Sequence, residues 1–306
     1  MRTAPPVWVV VLNWHGRADT LQCLQALAET SYPDLSVVLI DNDCAEFSAD
    51  ELQRLVPRGR YLRTAANLGF AGGSNLGMRA ALEAGAELIW FLNNDAQPEA
   101  AALTELVATM TRDETIGIVG PKILQQQDPR RIDSIALDIA LGSGRMHLIG
   151  HDEIDQGQYD DRVRAIAVTA CAMLVRRVVC ERLGGFADDF FAYLEDADLC
   201  LRARAAGWQI AVAPCARVFH RRAAATQGRQ SLLSLYYTTR NHLRLLDRHA
   251  PAPGWHGRLR RLAVIALNLA YAMRAGGPPL AARVRAVWRG VADYRRGVAG
   301  ATWQEP

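Results

Sequence analysis

The chain of 306 residues contains a single lysine, Lys122, although 35 of its residues are basic. The rest of that charge is arginine, and 32 acids reduce the net charge to +3. A balance that small does not suggest a nucleic-acid binder. Paired cysteines are also missing. Cys23, Cys44, Cys171, Cys180, Cys200 and Cys215 stand singly and no CxxC occurs, which excludes a zinc ribbon or a disulfide framework and fits buried thiols in a reducing compartment. There is no GxGxxG, and no lysine follows the glycine-rich stretch at 69–77, so neither the dinucleotide fingerprint nor the P-loop is present. The apolar run at 262–273 is twelve residues long, too short to span a bilayer. Residues 1–6 lack the form of a signal peptide, so the catalytic part is expected in the cytosol.

What is present has ordinary globular composition, 50% hydrophobic and 22% charged, with room for one large domain and an appendage. Residues 7–12 are short, β-branched and continuous, as in a central strand, and end in Asn13-Trp14-His15-Gly16. Helical spacing of Leu21, Leu24 and Leu27 marks a helix over 18–30. A second apolar strand, 35–40, halts on Asp41-Asn42-Asp43. A shorter strand at 61–63 leads to Asn67-Leu68-Gly69-Phe70-Ala71-Gly72-Gly73-Ser74-Asn75-Leu76-Gly77, which opens a helix to about residue 85. Glycines there let a phosphate approach free N–H groups, or simply make a tight strand-to-helix turn. Strand 88–93 stops at Asn93-Asn94-Asp95 before Pro98. In an open α/β sheet ligands bind beyond the carboxyl ends of strands. Asp95 offers a hard cation an oxygen there, although an Asx turn would use the same residues.

Further on, 99–111 reads as helix, 117–123 as a short strand, and 125–165 as a polar insertion or irregular hairpin of undefined shape. A buried strand follows at 168–175 and a helical turn at 176–183. A helix over 195–206 ends at Gly207, the natural stop. Its first turn holds Glu195 and Asp196, directly after an aromatic run, and a carboxylate so placed can act as a general base. Acids in a first turn also favour the macrodipole, and Asp198 with Arg202 can pair on a solvated face. The last strand, 209–219, ends on His220, followed by Arg221 and Arg222. An imidazole beside a carboxylate suits manganese or a similar ion, although a lone histidine is often structural.

Taken together, Leu12 to Gly16 with Asp41-Asn42, the Asn67–Gly77 loop, Leu92-Asn93-Asn94-Asp95, and Phe191…Glu195-Asp196-Ala197-Asp198-Leu199…Arg202 with His220 resemble the family 2 glycosyltransferases, in particular their rhamnosyltransferase-like branch. The resemblance covers about residues 7–245. It implies a GT-A fold: an α/β domain with a mixed, mostly parallel central sheet and helices on both faces. It implies a catalytic domain at 1–229, with a nucleotide-sugar half to about 123 and an acceptor half over 124–229. In that frame Asp41 would read the base; Asn13, Asn67, Gly69, Gly73 and Asn75 would line the nucleotide-sugar pocket; and Asn94 would face the ribose. Asp95 and His220 would bind Mg²⁺ or Mn²⁺, with Asn93 standing where the family's DXD motif has its first aspartate. Asp196 would be the catalytic base, with Glu195 as the competitor for that role. The implied reaction is inverting transfer from a nucleotide-diphosphate sugar, dTDP-L-rhamnose or else a UDP-sugar, to a glycan or lipid-linked acceptor in cell-surface polysaccharide synthesis.

A nucleotidyltransferase would need basic residues in the glycine loop, which has none. A non-catalytic nucleotide-sugar binding module would not need both Asp196 and His220. Residues 230–306 read as a helical, Arg-rich extension with interfacial Trp and Tyr at 254–306. Such helices can lie on the inner face of an anionic membrane, pack on the catalytic domain, or form a homodimer contact.

Overall fold

The computed structural model describes residues 4–161, 164–221 and 231–302. Strand β1 (Val7–Asn13) is followed by α1 (Arg17–Ala28), β2 (Leu35–Asn42), α2 (Ala49–Leu55), β3 (Gly59–Thr64) and α3 (Gly69–Glu83). Next come β4 (Leu88–Asn93), β5 (Ala96–Pro98), α4 (Ala102–Thr111) and β6 (Ile116–Gln125). Short strands β7 (Ile132–Ser134), β8 (Ala136–Ala140), β9 (Arg145–Ile149) and β10 (Arg164–Ala165) lead to β11 (Ala172–Arg176) and α5 (Arg177–Leu183). Then follow α6 (Glu195–Ala205), β12 (Gln209–His220), α7 (Leu232–His249), α8 (Gly254–Arg274) and α9 (Leu280–Arg295).

The main sheet runs β10-β12-β6-β11-β4-β1-β2-β3, with β5 on β12 and β7 on β6. Strands β4, β1, β2 and β3 are parallel neighbours, β6 and β12 are parallel, and β11 lies antiparallel between the two groups. This is the expected mixed α/β sheet. Its unbroken apolar runs follow from having both faces covered. Val7, Val9 and Val11 pack with residues of α1 and α4, while Val10 packs with residues of α3 and α6 on the other side. Each such buried side chain contributes about 1.5–3 kcal/mol.

Three readings change. The strand at 117–123 is longer, ten residues as β6. Helix α2 was not foreseen; it starts where Ser48 accepts a hydrogen bond from the Glu51 N–H. The stretch 125–165 contributes to the core through its described residues: Ile132, Ile135, Leu137 and Ile139 are buried, and β8 and β9 form a hairpin. Buried Asp133 and Ser134 break its period in the sequence. Lys122 anchors the stretch from β6, its ammonium 2.9 Å from Asp155 and 2.7 Å from Asp160.

Helices α7, α8 and α9 pack together beside this hairpin. Buried His242 is the joint, with Nε2 2.7 Å from the Gly144 carbonyl and Nδ1 accepting from Asn268. Burial lowers its pKa to about 4, so it is neutral there. The boundary expected at 229/230, like Arg222, lies outside the described residues. Among the described residues, no helix is long and apolar enough to cross a membrane.

Candidate active site

Register brings the polar strand ends side by side. Asn13 on β1 pairs with Asp41 on β2, and Leu12 pairs with Asn93 on β4. Asp41 is fully buried and accepts hydrogen bonds from the Cys44 thiol, the Tyr61 hydroxyl and the N–H groups of Glu46 and Phe47. Burial pushes its carboxyl up, but those four donors together outweigh it and hold the pKa below the usual carboxylate range. Asp41 thereby shapes the loop at 43–47. Asn13 is equally committed, donating to Glu46 at 2.9 Å and accepting from Thr20 at 2.8 Å. Asn94 donates to Thr20 at 2.9 Å, in space left by Gly16, whose Cβ would stand 2.5 Å from the amide nitrogen.

The glycine stretch divides. Asn67 Oδ1 accepts from the Gly69 N–H at 2.8 Å and from Asn42 at 2.9 Å, so these residues do form one polar turn. Gly69 has φ +71°, and a Cβ there would meet Phe191 at 2.4 Å. Gly73 and Gly77 already lie inside α3, facing the sheet: their Cβ atoms would stand 2.3 Å from Leu12 and 2.4 Å from Val10. The room these two give up is taken by β1. Asn75 likewise uses both ends of its amide on the segment at 186–188, bonding the Phe186 backbone twice and Asp188 once.

Antiparallel pairing of β5 with β12 sets His220 opposite Ala96, and so beside Asp95. Asp95 Oδ1 lies 3.2 Å from His220 Nε2. The other imidazole nitrogen is 2.8 Å from Asp133 Oδ2. Burial alone would lower the imidazole pKa, but Cys171, Asp133 and Asp95 outweigh it and raise the pKa well above the ordinary value. The donor set fits a hard divalent cation: ligands at about 2.1 Å in adjacent octahedral positions sit about 3 Å apart. Asp133 supplies the carboxylate–histidine support that orients such a ligand. Among the described residues no group of three or more His, Cys, Asp or Glu could hold a metal, so such an ion would depend on the substrate for further oxygens.

The third piece is the segment before α6. Phe191, Tyr193 and Leu194 all have positive φ (65°, 68° and 69°), a costly geometry for side chains of that size. Asn241 on α7 holds it by donating to the carbonyls of Phe190, Ala192 and Tyr193 at 2.7–3.0 Å. Arg240, with no exposed surface, donates to the carbonyls of Asp189, Phe190 and Gly300. The turn delivers Glu195 and Asp196. Asp196 accepts from the N–H of Ala170 at 3.1 Å and of Ala197 at 2.7 Å. Burial raises its pKa and these two donors oppose the rise. Glu195 is buried, its Oε2 has no partner among the described residues, and burial followed by the charge of Asp196 pushes its pKa well above the usual range. Of the pair, Asp196 is the one that accepts backbone N–H bonds from outside its own residue.

Asp198 departs from expectation. It is fully buried, not on a solvated face, and bonds Arg202 at 2.6 Å, Arg248 at 3.0 Å and His249 at 2.9 Å. Burial would raise its pKa; His249, Arg202 and Arg248 outweigh that and bring it to about 2. A depressed carboxylate pKa stabilises above the unfolded value and the benefit is lost as pH falls through the folded one. Wild type should therefore exceed Asp198→Asn by about 2 kcal/mol near pH 6, and the gap should narrow between pH 4 and pH 2 in urea denaturation. A gap that stays constant with pH would show that the ion cluster is not its source.

A single dipeptide joins the two centres. The Ala170 N–H bonds Asp196, while the neighbouring Cys171 meets His220 through its thiol and the Asn93 N–H through its carbonyl. The metal-type pair and the candidate base thus share one wall. The family described as Glycosyltransferase like family 2 matches residues 5–244. The chain belongs to that family.

This glycosyltransferase is 28% identical over 268 residues to the N-acetylglucosaminyl-diphospho-decaprenol L-rhamnosyltransferase of Mycobacterium tuberculosis, covering 81% of this chain and 85% of that one. It is 33% identical over 130 residues to Galactofuranosyltransferase GlfT1 of the same species, 41% of this chain and 42% of the relative. Among solved structures it is similar to the mannosyltransferase PcManGT from Pyrobaculum calidifontis in complex with GDP-Man and Mn²⁺, with TM-score 0.58, 18% identity, and 97% and 84% of the two chains covered. These likenesses confirm the GT-A fold. Asp133 escapes a reading of the transferase's sequence, because it lies in the stretch without a legible period. The 237–241 stretch is legible as helix, but not the roles of Arg240 and Asn241 within it.

Proposed function

We propose that the transferase moves a sugar, with inversion, from a nucleotide-diphosphate donor to a hydroxyl of a lipid-linked glycan at the cytoplasmic face of the cell membrane. The observation that carries this is the Ala170-Cys171 dipeptide, which bonds Asp196 through one residue and adjoins His220 through the next. The likeness to an L-rhamnosyltransferase along most of both chains supports dTDP-L-rhamnose as donor and a diphosphate-linked lipid acceptor. A different donor, such as a UDP-sugar, is the second reading, favoured by the partial likeness to a galactofuranosyltransferase.

In this reading Asp95 and His220 would hold a divalent cation, whose chemistry when bound would be Lewis-acid compensation of charge on the leaving diphosphate. Asp133 fixes the imidazole so that Nε2 faces Asp95. The donor diphosphate would lie against the turn of Asn67 and Gly69, with the Asp41-supported loop at the base end. Asp196 takes the proton of the acceptor hydroxyl as that oxygen attacks the anomeric carbon from the far side. Positioning and fixed charge supply most of the acceleration.

Nucleotide release from dTDP-L-rhamnose and from UDP-sugars, with and without Mn²⁺, tests this. Release should require the ion, and Asp95→Ala should raise the Mn²⁺ needed by about tenfold or more. Release indifferent to chelator and to Asp95→Ala would remove the ion from the mechanism. Stabilisation by a nucleotide-sugar with no turnover under any condition would favour a binding module.

A further inference from the structure

Helix α8 reverses the usual placement of polar and apolar residues. Its inward side carries Arg260, Val264, Ile265, Asn268 and Ala272, and is fixed by Asn268 on His242 and Arg261 on Asp247. Its exposed apolar residues are Trp255, Leu259, Leu262, Leu267, Tyr271 and Met273, of which Trp255 (63% exposed), Leu259, Leu262 and Met273 (58%) align along one side of the helix. Between Arg258 and Arg274 no exposed residue of the helix is charged. The stripe from 255 to 273 is about 27 Å long at 1.5 Å per residue.

Helices α8 and α9 carry an excess of arginine. Residues 254–302 hold nine arginines, five of them exposed (Arg258, Arg274, Arg285, Arg295 and Arg296), and one acid, Asp293, which is buried and accepts from the Tyr236 hydroxyl. A second copy docked on this face would set arginines against arginines, which opposes a symmetric dimer here. An anionic headgroup layer satisfies both features, because it takes apolar side chains below and guanidinium groups above.

We propose that the outward face of α8, with the arginines of residues 254–302, seats this protein on anionic phospholipid. The inference deepens the lipid-linked acceptor reading and takes its purpose from it, while its geometry is separate from the chemistry. The stripe lies in the interfacial layer.

The test is co-sedimentation of the full chain with vesicles of phosphatidylglycerol and phosphatidylcholine, and with phosphatidylcholine alone. Binding to the anionic vesicles should be at least about tenfold tighter and should fall in high salt. The combined Leu259→Ser, Leu262→Ser, Leu267→Ser variant should lose about tenfold or more of it, with melting temperature and nucleotide release in solution unchanged. Arg258→Gln with Arg274→Gln and Arg285→Gln should weaken binding to anionic vesicles only. Wild type remaining in the supernatant with anionic vesicles would overturn the proposal. So would a serine variant that binds vesicles normally but turns a dimer into a monomer. Vesicle binding without any sugar transfer would sink the proposed reaction and leave the surface standing; transfer to a soluble acceptor without vesicle binding would do the reverse.

Discussion

Replacing Asp196 with Asn should slow sugar transfer by about 10²-fold or more while the donor still binds within about twofold. The amide is the same size and keeps one oxygen for the N–H groups of Ala170 and Ala197, but it cannot take a proton from the acceptor. Glu195→Gln is the companion measurement. Glu195 is buried and pushed toward its neutral form, so a neutral amide there should cost less than about tenfold. Because burial raises the Asp196 pKa, the rate of wild type should decline toward acid through a pH above the ordinary carboxylate range. Donor titration by calorimetry beside single-turnover rates separates the outcomes. Equal losses of affinity and rate for Asp196→Asn, or a larger effect from Glu195→Gln, would move the base elsewhere.

Arg240→Leu should lower stability by about 3 kcal/mol or more and should reduce transfer in the protein that remains folded. The guanidinium donates to the buried Phe190 carbonyl and to the part-buried carbonyls of Asp189 and Gly300, and a leucine replaces none of these bonds. The turn it holds contains three non-glycine residues at positive φ, a conformation that persists only while its surroundings over-determine it. Arg240→Lys should rescue little, since an ammonium cannot span carbonyls arranged for a fork. Asn241→Ala removes a second set of bonds to the same turn and should act in the same direction. Urea denaturation measures the stability, and amide exchange across 189–194 locates the loosening. A wild-type midpoint for Arg240→Leu would show that the turn is held by other means.

The parallel half of the sheet was readable because its strands are covered on both faces, and a continuous apolar run such as 88–93 suits little besides a buried strand. The polar residues at the strand tips were readable for the same reason: Asn13, Asp41 and Asp95 interrupt runs that otherwise have no cause to stop. Their individual partners were not. Asn75 and Asp198 look like ligand or surface residues in a string of letters, yet each is bonded to a residue far along the chain or across a helix pair. Gly73 and Gly77 show the same limit, because a missing side chain serves a phosphate or a neighbouring strand equally well until the helix start is known. Asp133 was hidden by its context. Its short strand joins the sheet only through pairing with β6, which no local pattern announces.

The solitary lysine has a practical consequence. Lys122 is 1% exposed and enclosed by Asp155 and Asp160, so amine-directed labels and cross-linkers have no ε-amino group to reach in the folded chain. Modification at that position would report transient opening of the insertion, giving a one-site chemical clock for that part of the molecule.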